Sequence, residues 1–231
     1  MATILITGAA RGLGYELARQ LAGRGHRVLA TCRDPRRADT LRAAADASGG
    51  TLTVHAMDVG STESVKACRA EIGDMPVDIL VNNAGVWGGL PGQVLGSMDY
   101  DNWAHELNIM LMGPFRVVES FLPNILASGA GRIVSITSQT AAHSYDHVVG
   151  YAYASAKAGT NRVMTALAQE LGCKGVTVVL LHPGWIRTEM AGAVADLEPD
   201  EAAAMNIAVI EGLTPADNGK FLKWTGDEHA W

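Results

Sequence analysis

Thr3-Ile4-Leu5-Ile6-Thr7-Gly8-Ala9-Ala10-Arg11-Gly12-Leu13-Gly14 reads as a short apolar strand, a glycine-rich turn and the start of a helix. Gly8 ends the strand, and Gly12 and Gly14, with Leu13 between them, open the helix. Glycine permits the tight turn and lets backbone N–H groups approach a phosphate, to which the helix N-terminus adds partial positive charge. The spacing is GxxxGxG rather than GxGxxG. The place of the turn between strand and helix therefore carries more weight than the glycines alone.

Further strands are expected at Arg27–Thr31, Thr51–His55, Asp78–Val81, Arg132–Ile136, Thr177–Leu181 and Lys220–Lys223. Helices are expected to begin near Leu13, Asp34, Ser61, Tyr100, Tyr151 and Glu189. Alternation of strand and helix predicts an α/β fold, a Rossmann-type doubly wound parallel sheet of about seven strands with helices on both faces. Inner strands such as Ile79-Leu80-Val81 are continuously apolar, as a sheet covered on both sides requires. With no linker or repeat, residues 1–231 read as one domain. The Ala- and Met-rich segment 189–212 reads as a lid.

Composition narrows the function classes. The chain is 48% hydrophobic and carries a formal net charge of -6, which argues against a nucleic-acid partner. No apolar stretch is expected to reach the roughly 18 residues of a membrane span, and no signal peptide is read at the N-terminus. Cys32, Cys68 and Cys173 form neither a CxxC nor a paired framework, which suits a reducing cytoplasm. The histidines show no metal-ligand spacing, so no metal is expected.

The second strand ends Thr31-Cys32-Arg33-Asp34. An acid at such a strand end would hydrogen-bond ribose hydroxyls and repel a 2′-phosphate. Cys32 aligns with that position, and Arg33 and Arg11 lie nearby, so NADP(H) is favoured. NAD(H) stays open, because a shift of two residues would make Asp34 the ribose acid.

Tyr153 and Lys157 are four residues apart and share one helix face, whereas Tyr151 is rotated off it. A free phenol, with a pKa of about 10, is too weak an acid for a proton shuttle at neutral pH. An ammonium about 4 Å away at an effective dielectric near 20 contributes roughly 4 kcal/mol, enough to lower that pKa by up to about three units. The strand Arg132–Ile136 delivers Ser138 to its C-terminal end, where open α/β sheets bind ligands. Ser138 would hydrogen-bond a substrate oxygen as charge develops there, with Thr140 as the rival donor.

With these motifs in order, the chain resembles the short-chain dehydrogenase/reductase family over nearly its whole length, and within it a compact carbonyl-reductase-like branch. The resemblance rests on Thr7–Gly14, Asp58-Val59, Asn82-Asn83-Ala84-Gly85, Leu107-Asn108-Ile109, Ser138, the Tyr153/Lys157 pair and Pro183-Gly184-Trp185-Ile186-Arg187-Thr188. It implies that Asp58 accepts from the adenine amino group while Val59 packs on the ring. Asn82, Ala84 and Gly85 would line the adenosine ribose and support the fourth strand. Asn108 would hold a water linking Lys157 to solvent, in a relay with Ser138 and Tyr153. Tyr153 and Lys157 would also touch the nicotinamide ribose, and Pro183, Gly184, Ile186 and Thr188 would hold the carboxamide. One departure stands out: Ser138 and Tyr153 are fifteen residues apart, more than the common family spacing, so Gln139–Gly150 reads as a longer substrate loop.

The implied reaction is hydride exchange between a nicotinamide and a carbonyl or alcohol, with Tyr153 as general acid/base. Trp87, Gln139, His143, Tyr145, Trp185 and Met190 are expected to wall a pocket for a small molecule. A non-catalytic NADP-sensing regulator or a signalling protein on the same fold is the alternative. A homodimer or homotetramer is expected, using the helices near 100–127 and 151–172.

Overall fold

The computed structural model describes residues 1–147, 150–190 and 194–231. Its centre is a seven-stranded sheet in the order β3-β2-β1-β4-β5-β6-β7, parallel throughout. The strands are β1 (Thr3–Ile6), β2 (Arg27–Cys32), β3 (Leu52–Ala56), β4 (Ile79–Asn82), β5 (Arg132–Ile136), β6 (Thr177–His182) and β7 (Phe221–Lys223). Each lies within a residue of its expected bounds at either end. Chain order reverses between β1 and β4, which opens a crevice at their carboxyl ends.

Side chains alternate across the strands and feed two cores. Ile4 and Ile6 face one, under α1 (Gly12–Gly23), α2 (Asp39–Ala47) and α7 (Pro199–Gly212). Leu5 faces the other, under α3 (Thr62–Ile72), α5 (Gly113–Ala127) and α6 (Tyr151–Leu171). Ile4, Leu5 and Ile6 are all fully buried, each worth about 1.5–3 kcal/mol relative to exposure.

The last helix starts at Pro199, not near Glu189. Proline suits a first helical turn, where its missing N–H costs nothing. Ala202, Ala203, Asn206, Ile207 and Ile210 of α7 are buried in the first core. Most of the expected lid is therefore structural. Only 189–198 lies outside that helix, and 191–193 fall outside the described residues.

Contrary to the sequence expectation, the run Tyr100–Ala127 is long and apolar enough to cross a membrane. Half of its apolar window is buried, because the helix packs against the sheet and α6. It is also not one regular helix. The segment α4 (Tyr100–Leu107) passes through a π-helical turn, Asn108–Met112, into α5. Pro114 gives the reason. It has no N–H for the carbonyl of Met110, four residues earlier. The Thr160 hydroxyl of α6 donates to that carbonyl instead, at 2.5 Å.

Candidate active site

Thr7, just after β1, ties the two sides of the crevice together. Its N–H donates to Val81 O (3.0 Å), and its hydroxyl oxygen accepts from Asn83 N and Ala84 N, both at 3.0 Å. Asn83 Nδ2 donates to Thr7 O (3.0 Å) and Gly8 O (3.2 Å), so the glycine turn is braced by the chain leaving β4. The brace on the turn comes from Asn83, which the sequence reading gave no role, while Asn82 links β4 to β5. Asn82 still belongs to the strand, is buried, and turns its Nδ2 toward Ser135 Oγ (3.4 Å). It therefore does not line an open groove. Ala84 packs on Gly8, where a Cβ would come within 2.7 Å of Ala84 Cα, and Gly85 lies exposed beside Met110.

The turn fits a dinucleotide phosphate. Arg11 at the N-cap of α1 makes no side-chain cap, and the first turn holds no acid. By contrast, Ser61 caps α3 and Asp99 caps α4 with their own side chains. The first N–H groups of α1 thus keep their need for an acceptor. Gly12, at φ 57°, sits below Thr188, whose Cγ2 would be 3.3 Å from an added Cβ. Thr188 is carried there by Pro183, whose carbonyl accepts from Asn206 Nδ2 (3.0 Å), by Gly184 at φ 94° and by the buried Ile186.

At the end of β2, Cys32 is buried and Arg33 is exposed, with no ion-pair partner among the described residues. Asp34 is turned to its own neighbour. It accepts from Arg36 N and Arg36 Nε, both at 3.0 Å, and this guanidinium holds its carboxyl below the usual range. Arg11 is ion-paired with Glu189.

Tyr153, half-buried in the first turn of α6, meets Trp87 edge-on at 5.3 Å between ring centroids, with Ser138 as the polar neighbour of its phenol. Thr140 stands behind Ser138, its hydroxyl donating to Ser138 Oγ at 3.0 Å. Lys157 is buried one turn below. Its Nζ donates to Ile136 O (2.8 Å) and lies 5.7 Å from the Tyr153 ring centroid. The expected lowering of the phenol does not hold for the protein alone. Desolvation pushes Tyr153 up to about 12, outweighing the Ser138 hydrogen bond, and brings Lys157 down to about 8. Spacing predicted the pairing, but burial governs both groups.

Asn108 departs from the implied relay. Its Nδ2 donates to Gly60 O and its Oδ1 accepts from Arg116 Nη2, each at 3.0 Å. Both amide atoms are spent bracing the turn after β3. It is the Met110 carbonyl, not Asn108, that meets α6 one turn beyond Lys157. In that same turn Asp58 Oδ1 accepts from Gly60 N (2.8 Å). Val59 is buried beneath Gly113 rather than presented to a ring.

Of the expected pocket wall, Trp87 reaches Tyr153 and Gln139 lies half-buried beside Ser138. Tyr145 stacks edge-on with His147 at 5.5 Å, and His143 is exposed. Trp185 and Met190 are both more than two-fifths exposed. Sequence reading missed Gln93 and Glu106, two fully buried polar residues behind Tyr153.

Comparison with known proteins agrees with this arrangement. The family model for short chain dehydrogenase matches residues 2–198. The chain is 34% identical, over an alignment of 241 residues covering all of both proteins, to 1-hydroxy-2-glutathionyl-2-methyl-3-butene dehydrogenase of Rhodococcus sp.. It is 36% identical over 157 residues to the C-signal of Myxococcus xanthus, covering 68% of this chain and 93% of that protein. Among solved structures, the NADPH-bound carbonyl reductase from chicken fatty liver superimposes with a TM-score of 0.90 at 26% identity, over 100% of this chain and 99% of the other. Braced glycine turn, reversed sheet order and Ser–Tyr–Lys cluster all lie within the matched residues, and the chain belongs to the short-chain dehydrogenase/reductase family of oxidoreductases.

Proposed function

We propose that this protein is an NADP(H)-dependent carbonyl reductase, acting on a small ketone or aldehyde with Tyr153 as proton donor. The observation that carries this reading is the Tyr153 phenol set beside Ser138 at the carboxyl end of β5, with Lys157 buried one helical turn below. When bound, the dinucleotide supplies the hydride. Every other step falls to side chains of this chain. Desolvation keeps the proton on Tyr153 at neutral pH, the form that donates to a carbonyl oxygen. Ser138 donates to the same oxygen as negative charge grows on it. Lys157, tied to Ile136 O, sets a positive charge beside the phenol and toward the ribose. The alcohol direction uses the same groups in reverse.

Preference for the phosphorylated dinucleotide is supported by the charges at the end of β2. Asp34 is engaged by Arg36, which leaves Arg33 exposed there without an acid beside it among the described residues, and Arg11 needs only to exchange Glu189 for a phosphate. Energy transfer from tryptophan to nicotinamide, with NADPH and NADH titrated in parallel, tests this. NADPH is expected to bind more tightly. The double variant Arg11→Ala/Arg33→Ala is expected to weaken NADPH by roughly 10- to 100-fold and leave NADH almost unchanged. Equal losses for both dinucleotides, or a native preference for NADH, would move the ribose contact to Asp34.

The C-signal relative favours a second reading, a signalling protein or NADP-sensing regulator on this fold. That reading predicts dinucleotide binding without turnover of any carbonyl. A homodimer or homotetramer through the outer faces of α4, α5 and α6, where Tyr100, Phe115 and Tyr151 are exposed, is compatible with either reading.

A further inference from the structure

Helix α6, which carries Tyr153, has no cap of its own. Its N-cap is Gly150, and its first N–H groups need acceptors from elsewhere. Gln93, fully buried in the loop after β4, supplies them. Its Oε1 accepts from Tyr153 N (2.9 Å) and its backbone carbonyl accepts from Tyr151 N (3.2 Å). The fit is close: a Cβ on Gly150 would lie 2.4 Å from Gln93 Oε1.

Gln93 is in turn oriented by Glu106. Gln93 Nε2 donates to Glu106 Oε1 at 2.7 Å, and Gly88 N (2.7 Å) and Asn102 Nδ2 (3.2 Å) converge on the same oxygen. Glu106 is fully buried, and its Oε2 has no hydrogen-bond partner among the described residues. A carboxylate buried this way is costly unless its charge is used, and a nearby helix N-terminus offsets part of that cost. The apolar stripe of α4 offers no reason to keep an acid at this place. The network ends on the backbone N–H of Tyr153, the residue whose side chain reacts.

We propose that Glu106 and Gln93 are positioning residues for Tyr153: the carboxylate locks the Gln93 amide as the cap of α6, and the capped first turn fixes where the phenol stands. This rests on Tyr153 being the proton donor. The groups that face the phenol are Lys157 from its own helix, Ser138 from the end of β5 and Trp87 from the loop after β4; the Glu106 charge stands behind them, joined to the first turn of α6 through Gln93. Lys157, while charged, and the Ser138 hydrogen bond favour the phenolate. Glu106 opposes them. Loss of the Glu106 charge must therefore lower the phenol's pKa. Reduction needs the phenol, so its alkaline fall moves to lower pH. Alcohol oxidation needs the phenolate, so its rise moves to lower pH as well.

Glu106→Gln keeps an acceptor at Oε1 and removes the charge. In the full-length protein this variant is expected to move the alkaline limb of carbonyl reduction down by about one pH unit. The tyrosinate absorbance assigned to Tyr153, by subtracting the matching Tyr153→Phe protein, is expected to move with it. Gln93→Leu, which removes the cap and leaves the charge, is expected to lower kcat about tenfold with NADPH affinity retained. An unmoved limb and absorbance titration in Glu106→Gln would overturn the electrostatic role, and native kcat in Gln93→Leu would overturn the positioning role. Should Glu106→Gln not fold, Gln93→Leu decides the positioning role, which is the proposal. Failure of the underlying reading shows differently. Tyr153→Phe would then still turn over, while the absorbance titration, which needs no turnover, continues to report whether Glu106 acts on the phenol.

Discussion

Tyr153→Phe is expected to lower kcat for carbonyl reduction by about 10²- to 10⁴-fold while NADPH affinity changes little. The substitution removes one oxygen and leaves the architecture in place. A phenyl ring keeps the edge-on contact with Trp87, and the Gln93 cap acts on the backbone N–H of residue 153, not on its side chain. Ser138 retains Thr140 as a hydrogen-bond partner. Only the proton is lost. Desolvation holds Tyr153 at about 12 and Lys157 at about 8, so in the protein alone the lysine releases its proton first as pH rises. The phenol is the better-held acid, and the other hydroxyl at this place, Thr140, spends its proton on Ser138 Oγ. Single-turnover NADPH oxidation on a panel of aldehydes and ketones, with energy transfer to follow binding, separates the two effects. Native turnover in the variant would remove Tyr153 from the chemistry, whereas binding without turnover in the native protein would favour the signalling reading.

The parts of this site that were legible in the sequence are those set by local geometry. Continuous apolar runs bounded the strands, and an i, i+4 spacing placed Tyr153 and Lys157 on one face. The glycine turn announced itself by lying between β1 and α1. What escaped was set by parity, by a missing N–H or by distance in the chain. Asn82 and Asn83 differ by one residue, but the first ends β4 and turns to Ser135, while the second leaves the sheet and braces the phosphate turn. Asn108 was given the relay by the family resemblance alone, which does not say where its side chain turns. Pro114 was the available signal, since its absent N–H opens the π turn at Met110 and moves Asn108 toward Gly60. Glu106 carried a weaker sign, an acid three residues after Trp103 and four before Met110, on the face that a helix buries. Its partner Gln93 lies in a loop with no periodicity, so no sequence pattern could have joined the two. The direction of the Tyr153 shift was also out of reach. Spacing gives proximity to a charge but not the loss of water, which here is the larger effect.

Gly14→Ala is expected to damage both the fold and dinucleotide binding, and the reason is space, not backbone conformation. A Cβ at this position would lie 2.4 Å from Asn83 Nδ2 and 2.5 Å from Gly8 O. Neither atom is free to retreat. Asn83 Nδ2 donates to both Thr7 O and Gly8 O, and the turn is pinned at each side of Gly8 by Thr7 N on Val81 O (3.0 Å) and Ala9 N on Thr31 O (2.9 Å). A methyl group must therefore lift α1 from the sheet or break the Asn83 brace. Overpacking together with one or two lost hydrogen bonds amounts to roughly 2–4 kcal/mol. For a domain of this size that is a Tm lower by about 5–15 °C. The brace is also what holds the helix N–H groups toward the crevice, so NADPH affinity is expected to fall more than the stability loss alone requires. Gly23→Ala is the control. It lies at the far end of the same helix with no atom within 4 Å of an added Cβ and with φ in the ordinary range, so it is expected to leave binding intact and to stabilise by about 0.4–1 kcal/mol. Thermal unfolding and the energy-transfer titration, run on both variants, distinguish a crowded turn from a general dislike of alanine in α1. A Gly14→Ala protein with native Tm and native NADPH affinity would mean that the crevice between β1 and β4 is looser than its hydrogen bonds require, and that the phosphate turn is held by something other than Asn83.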